Sequence, residues 1–107
     1  MVTSVDYIEF VCEQIDGVGA VHYKKMFGEY MVYVNDKPIL LVCDDTVFVK
    51  MLPELDGLSD RLGKGFPYNG AKEHYSVDVD DRAMMREIVE ILEPITPVPK
   101  PRKKKAR

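Results

Sequence analysis

The stretch YKKMFGEYMVYVNDKPILLVCDDTVFVK, residues 23–50, decides the fold. Its apolar residues recur largely with a period of two. It is rich in Val, Ile, Tyr and Phe, and it is broken at Asn35-Asp36 and Asp44-Asp45, pairs suited to tight turns. Val21, Tyr23 and Lys25 alternate with His22, Lys24 and Met26 as far as Phe27-Gly28, where the glycine points to a turn or bulge. Glu29–Val34 resumes as a strand. Pro38 stands at the start of the next, where a missing N–H is tolerated. Ile39–Cys43 is apolar without interruption, the mark of a central strand. Thr46–Met51 comes next, with Val47 and Val49 on one face and Phe48 and Lys50 on the other.

Outward from this meander the period changes. Thr3–Asp16 reads as a helix, with Thr3 and Asp6 spaced as a capping box and Val5, Ile8, Val11, Cys12 and Ile15 forming an apolar stripe. Gly17 sits where a left-handed cap would end it. On the other side, Pro53 ends the last strand of the meander, and Leu55, Leu58 and Leu62 have helical spacing within Glu54–Leu62. Gly63, Gly65, Pro67 and Gly70 mark a loop. Residues 73–79 alternate again as a half-buried strand. Asp80 or Asp81 then caps a final helix through Glu93, and Pro94, Pro97, Pro99 and Pro101 give the C-terminal segment an extended character. The expected fold class is α+β, a two-layer sandwich of order α-β-β-β-β-α-β-α, with an antiparallel meander sheet and helices packed on one face. The expected domains are 1–95 and a disordered Pro/Lys-rich tail, 96–107.

The chain has 107 residues, 46% hydrophobic and 31% charged, ordinary values for one soluble globular domain. A chain of this size buries roughly 60–68% of the surface it exposes when unfolded, enough for one core without metals or disulfides. No apolar run approaches the ~18 residues of a membrane span, and MVTSVDYIEF lacks the basic-then-apolar pattern of a secretory signal, so the expected location is cytoplasmic. Cys12 and Cys43 are read as buried free thiols rather than a redox or metal pair. The net charge of −3 is unevenly spread. Lys100, Arg102, Lys103, Lys104, Lys105 and Arg107 give the tail +6, and the remaining 9 basic residues against 18 acidic ones leave the body at −9.

Taken together, KKMFGEY at Lys24–Tyr30, the VYVNDKPILLV hairpin, FVK at Phe48–Lys50, the Phe66-Pro67-Tyr68 loop and Tyr75 resemble the N-terminal domain of TfoX/Sxy proteins. The resemblance covers most of residues 4–95. It implies a two-layer α/β domain with an antiparallel sheet. It also implies a regulatory role, since full-length TfoX/Sxy proteins regulate natural competence in some bacteria together with the cyclic-AMP receptor protein. Those proteins carry a second, helical domain, where this chain has a proline-lysine tail after residue 95. It therefore resembles the stand-alone branch, and the family supplies no catalytic residues to carry over.

Among candidate sites, Lys24, Lys25, Phe27, Gly28, Glu29 and Tyr30 are the most distinctive group. They read either as a bulge with Phe27 in the core or as a cationic and aromatic recognition patch for acidic or phosphate-bearing partners. His22 and His74 lie in strands, each facing away from its neighbouring tyrosine, with no nucleophile placed beside them. Asp80 and Asp81 are helix-capping acids before they are metal ligands. The Gly63-Lys64-Gly65 loop lacks the phosphate-binding GxxxxGK[ST] pattern. The expectation is therefore a non-enzymatic domain without metal or cofactor, acting through an unidentified protein partner. Nucleic-acid contact through residues 100–107 is the alternative, and the exposed edges of a meander leave homodimerisation open.

Overall fold

The computed structural model describes residues 3–26 and 29–98. Helix α1 (Val5–Gln14) leads into strands β1 (Val21–Met26), β2 (Glu29–Val34), β3 (Lys37–Cys43) and β4 (Thr46–Lys50). A 3₁₀ helix (Pro53–Arg61), strands β5 (Gly63–Gly65) and β6 (His74–Val77), and helix α2 (Arg82–Ile95) complete the fold. All strand pairs are antiparallel and form one six-stranded sheet of order β1-β2-β3-β4-β6-β5. This is the expected α+β order with one further strand.

The meander arises from its turns. Asn35-Asp36 and Asp44-Asp45 each have two consecutive positive φ angles, 54° and 66°, then 52° and 53°. Two left-handed residues in a two-residue loop are the type I′ pattern, whose twist matches that of the flanking strands. Asn and Asp are among the non-glycine residues that reach this region at least cost. The turn or bulge expected at Phe27-Gly28 lies outside the described residues.

Alternation then sorts the strands. Tyr30, Val32 and Val34 of β2, Leu40 and Val42 of β3, Val47 and Val49 of β4, and Tyr75 and Val77 of β6 all face the helices and are buried. Against them pack Ile8, Val11 and Ile15 of α1, Leu55 and Leu58 of the 3₁₀ helix, and Met84, Met85, Ile88, Val89 and Leu92 of α2. Fully burying a side chain of this kind stabilises by about 1.5–3 kcal/mol, so this layer dominates stability.

Polar hooks tie the helices down. Gln14 Nε2 donates to Val79 O at 2.6 Å. Arg86 Nη1 donates to Asp16 O at 2.8 Å. Lys37 Nζ reaches both Glu93 O at 2.8 Å and the Glu93 carboxylate at 3.0 Å.

Five local expectations are corrected. The cap of α1 is Ser4, whose Oγ accepts from Tyr7 N at 3.1 Å. Thr3 is buried instead, donating to Glu29 Oε1 at 2.9 Å and accepting from Asp45 N at 3.2 Å, which ties the N-terminus to the sheet end. Val5, assigned to the apolar stripe, is 53% exposed, because the helix turns its Ile8–Val11–Ile15 side to the sheet. The middle helix is 3₁₀ rather than α. Helix α2 runs through Pro94 to Ile95, where Thr96 N and Oγ1 both donate to Leu92 O.

The fifth correction is the GKG segment, read as a loop, which is strand β5 on the edge beside β6. A β-carbon on Gly63 would collide with Ser76 Oγ, and one on Gly65 would lie 3.2 Å from the Phe48 ring, so glycine lets this edge approach closely.

Candidate functional site

Because both helices pack on one face, the alternate residues of every strand line the other. One row crosses all six strands: Lys24, Met31, Leu41, Phe48, Ser76 and Gly63 are successive cross-strand partners. His22 and Tyr33 form a second pair beside it. Of the 18 acidic residues, Glu29 alone lies in a strand, whereas Lys24, Lys25, Lys37, Lys50 and Lys64 all do. Negative charge is thus concentrated on helices, turns and loops, and the sheet is comparatively cationic.

The β1–β2 end of this face carries an aromatic and cationic cluster. The His22 imidazole stacks flat on the Tyr33 ring, with centroids 4.9 Å apart and an interplanar angle of 1°. Lys24 Nζ sits 5.4 Å from the centroid of the same ring, within cation–π range. His22, Lys24 and Lys25 are exposed and Tyr33 is half-buried. Strand β1 is an edge, so these side chains stand at the rim of the sheet.

The sequence-selected group is divided by the structure. Lys24 and Lys25 point to opposite faces of β1. Glu29 is occupied as a staple, accepting from Thr3 Oγ1 at 2.9 Å and from Asp44 N at 3.0 Å. Tyr30 is only 4% exposed and packs edge-on against Tyr23 at 5.3 Å, on the helix side. Phe27 and Gly28 lie outside the described residues, as do Lys100, Arg102, Lys103, Lys104, Lys105 and Arg107. His22 and Tyr33, which sequence reasoning did not join, are brought together by the register that sets Met26 opposite Glu29.

The middle of the sheet holds a second feature. The β3–β4 ladder comprises only Leu41–Phe48, Val42–Val47 and Cys43–Thr46. Toward its start, β3 pairs with β2 alone, and toward its end β4 pairs with β6 alone. The register between β2 and β3 slips at Ile39, and a bulge bends its strand. Pro38, beside it, has no N–H to give either neighbour. The strands part here and leave a cleft of about 420 Å³, bounded by Leu41, Phe48, Val49, Leu52 and Ile95, with Lys50 and His74 among its polar residues. His74 Nδ1 lies 2.7 Å from Lys72 O, and its ring meets Phe48 edge-on at 6.4 Å.

Four further groups, two thiols and two tyrosine hydroxyls, are shifted by their surroundings. Burial first, then Glu29 and Asp44, pushes the Cys43 thiol up to about 11. Burial and Glu9 push Cys12 up to about 11. Both cysteines are free thiols. Burial, then Asp45, Asp80 and Asp78, raises Tyr7 to about 12. Tyr75 is raised by burial and by its hydroxyl's 3.1 Å hydrogen bond to Asp56. Among the described residues no three His, Cys, Asp or Glu side chains converge as a metal set, and every buried side-chain nitrogen or oxygen has a hydrogen-bond partner. No helix among them is long and apolar enough to cross a membrane.

The fold and this face define a small two-layer α+β domain in which, among the described residues, one sheet surface has no helix packed across it, α2 reaching the cleft only through Leu92 and Ile95. The TfoX N-terminal domain profile matches residues 13–90, and the chain belongs to that family, a non-catalytic domain family. It is also 30% identical over 109 residues to a protein of Spirochaeta aurantia described as an uncharacterized 12.7 kDa protein in the trpE 5′ region, covering 100% of this chain and 95% of that one. No solved structure matches.

Proposed function

We propose that this chain is a non-enzymatic regulatory or adaptor domain that docks a partner protein bearing an acidic segment, through the β1 edge. The observation that carries this reading is the His22–Tyr33–Lys24 cluster on the face away from the helices, with Lys25 beside it on the same edge strand. A stacked ring pair gives a rigid aromatic platform. The two lysines add charge at the rim that speeds the approach of an acidic partner. With 17 of the 18 acids off the strands, such a partner meets least repulsion at the sheet. Transcriptional or competence-related regulation, the role the resemblance implies, is one use such docking would serve.

The test compares quantitative capture from cells of the source organism by wild type, by Lys24→Glu/Lys25→Glu, and by a helix-face control, Glu9→Lys/Glu13→Lys. The expected result is at least one protein retained by wild type and control and lost with the β1 variant. If nothing captured depends on the two lysines, the reading fails.

The six cations of residues 100–107 favour a second reading, contact with nucleic acid. Such retention would fall steeply with salt and vanish when the tail is deleted; unchanged retention would exclude the tail.

A further inference from the structure

We infer that the cleft between β3 and β4 is a binding site for a small amphipathic carboxylate, with its apolar part between the strands and its carboxylate at Lys50 and His74.

Three observations lead there. The first is shape. The cleft exists because the ladder stops at Leu41–Phe48, and its volume of about 420 Å³ falls in the ~300–1,000 Å³ range of small-molecule sites. A polypeptide strand is a poor occupant. Beyond the last pair β4 offers only Val49 and Lys50, too short an edge for a paired strand.

The second is the character of the walls. Met31, Leu41, Phe48, Val49, Leu52 and Ile95 are apolar, and only Lys50, His74 and Thr96 among the lining residues carry polar side chains. The ligand must therefore be largely hydrocarbon with one polar end.

The third is charge. In a chain with 18 acidic residues, none lines this cleft, while a lysine and a histidine do. Lys50 brings an ammonium group with three donors and no acceptor to the lining. His74, whose Nδ1 is held 2.7 Å from Lys72 O, adds a second polar side chain at the same end of the cleft.

The experiment is a ¹H–¹⁵N titration of the full-length protein with sodium decanoate below its micelle concentration. Octanoate, decanol and decyltrimethylammonium serve as comparisons. Saturable shifts are expected at Met31, Leu41, Val49, Lys50 and Ile95. Decanoate should bind about tenfold more tightly than octanoate, the effect of two more buried methylenes. It should also bind more tightly than decanol, and Lys50→Gln should erase that preference.

Ile95→Glu, at a position 42% exposed and so tolerant of polarity, should weaken decanoate at least tenfold while the spectrum stays folded. Absence of saturable shifts, shifts confined to other surfaces, or equal affinity for the ammonium amphiphile would overturn the assignment. So would tighter binding of a short apolar peptide ending in a free carboxylate, which would make the site a peptide pocket.

Discussion

The two faces of this sheet are built from alternate residues of the same strands, but they do different work. On the helix side, Val32, Leu40, Val42 and Val47 are fully buried among α1, the 3₁₀ helix and α2. On the other side, their sequence neighbours Met31, Tyr33 and Leu41 are half-buried and meet His22, Lys24 and Phe48. One residue along a strand therefore moves a side chain from the fully buried layer to the half-buried one. The separation is incomplete. Cys43 and Phe48 face away from the helices and are still 1% and 7% exposed, and the Gly65 backbone lies close against the Phe48 ring.

The sharpest way to break this comparison is a neighbouring pair. Leu40→Ala empties a fully buried site and should cost about 3 kcal/mol, within the usual 2–5 kcal/mol for such truncations, read as a drop in the urea midpoint. Leu41→Ala, one residue on, should cost about 1 kcal/mol or less, because its half-buried side chain has less apolar surface to lose. Equal costs would mean that the second face is as deeply packed as the first.

Next in size is the cap that joins α1 to the helix layer. Ser4→Ala should destabilise by about 1 kcal/mol, whereas Asp6→Ala should change little, since the Thr3–Asp6 pairing is not made. The reverse order in thermal melts would restore the capping box.

The thiols probe each layer separately, Cys12 on α1 and Cys43 on the second face. Both are raised from 9.0 to about 11. The native state then keeps protons that the unfolded chain has released, so stability should fall as pH rises from about 9 toward 11. At pH 8 both should react slowly with an alkylating reagent, followed by mass spectrometry. Rapid labelling of Cys43 with slow labelling of Cys12 would show the second face to be open at its centre.

The smallest effect lies at Glu93, which hooks α2 to the sheet. Hydrogen bonds from Lys37 and then Asn35 hold its carboxyl below the ordinary value of 4.5. The stability it adds is present above that value and is lost as pH falls through the lower native one. Wild type and Glu93→Gln should therefore differ slightly at neutral pH and converge in acid, in paired denaturation curves. A gap that widens in acid would reverse the assignment.

Much of this fold is legible in the chain. The Asn35-Asp36 and Asp44-Asp45 turns could be placed because few other residues tolerate two successive left-handed conformations. Ile39–Cys43 is apolar at both parities, which fits a strand enclosed on both sides at its end. Strand β5 was not legible, because a GKG segment has no side-chain period to read. The Thr3 and Ser4 roles were exchanged because either hydroxyl could cap a helix, and only the position of Glu29 draws Thr3 away. The candidate site was the least legible part. Tyr30 and Tyr33 have opposite parity in β2, but parity alone does not say which face the helices cover or that His22 stacks on Tyr33.

By itself the sequence determined the strands of the meander, its turns and the side-chain parity within each strand, because these depend on near neighbours along the chain. Only the tertiary structure decided that β6 lies between β4 and β5, that His22 meets Tyr33, and that β3 and β4 part after Leu41. Those outcomes depend on which distant segments share hydrogen bonds and buried area, and a local period carries no record of the partner.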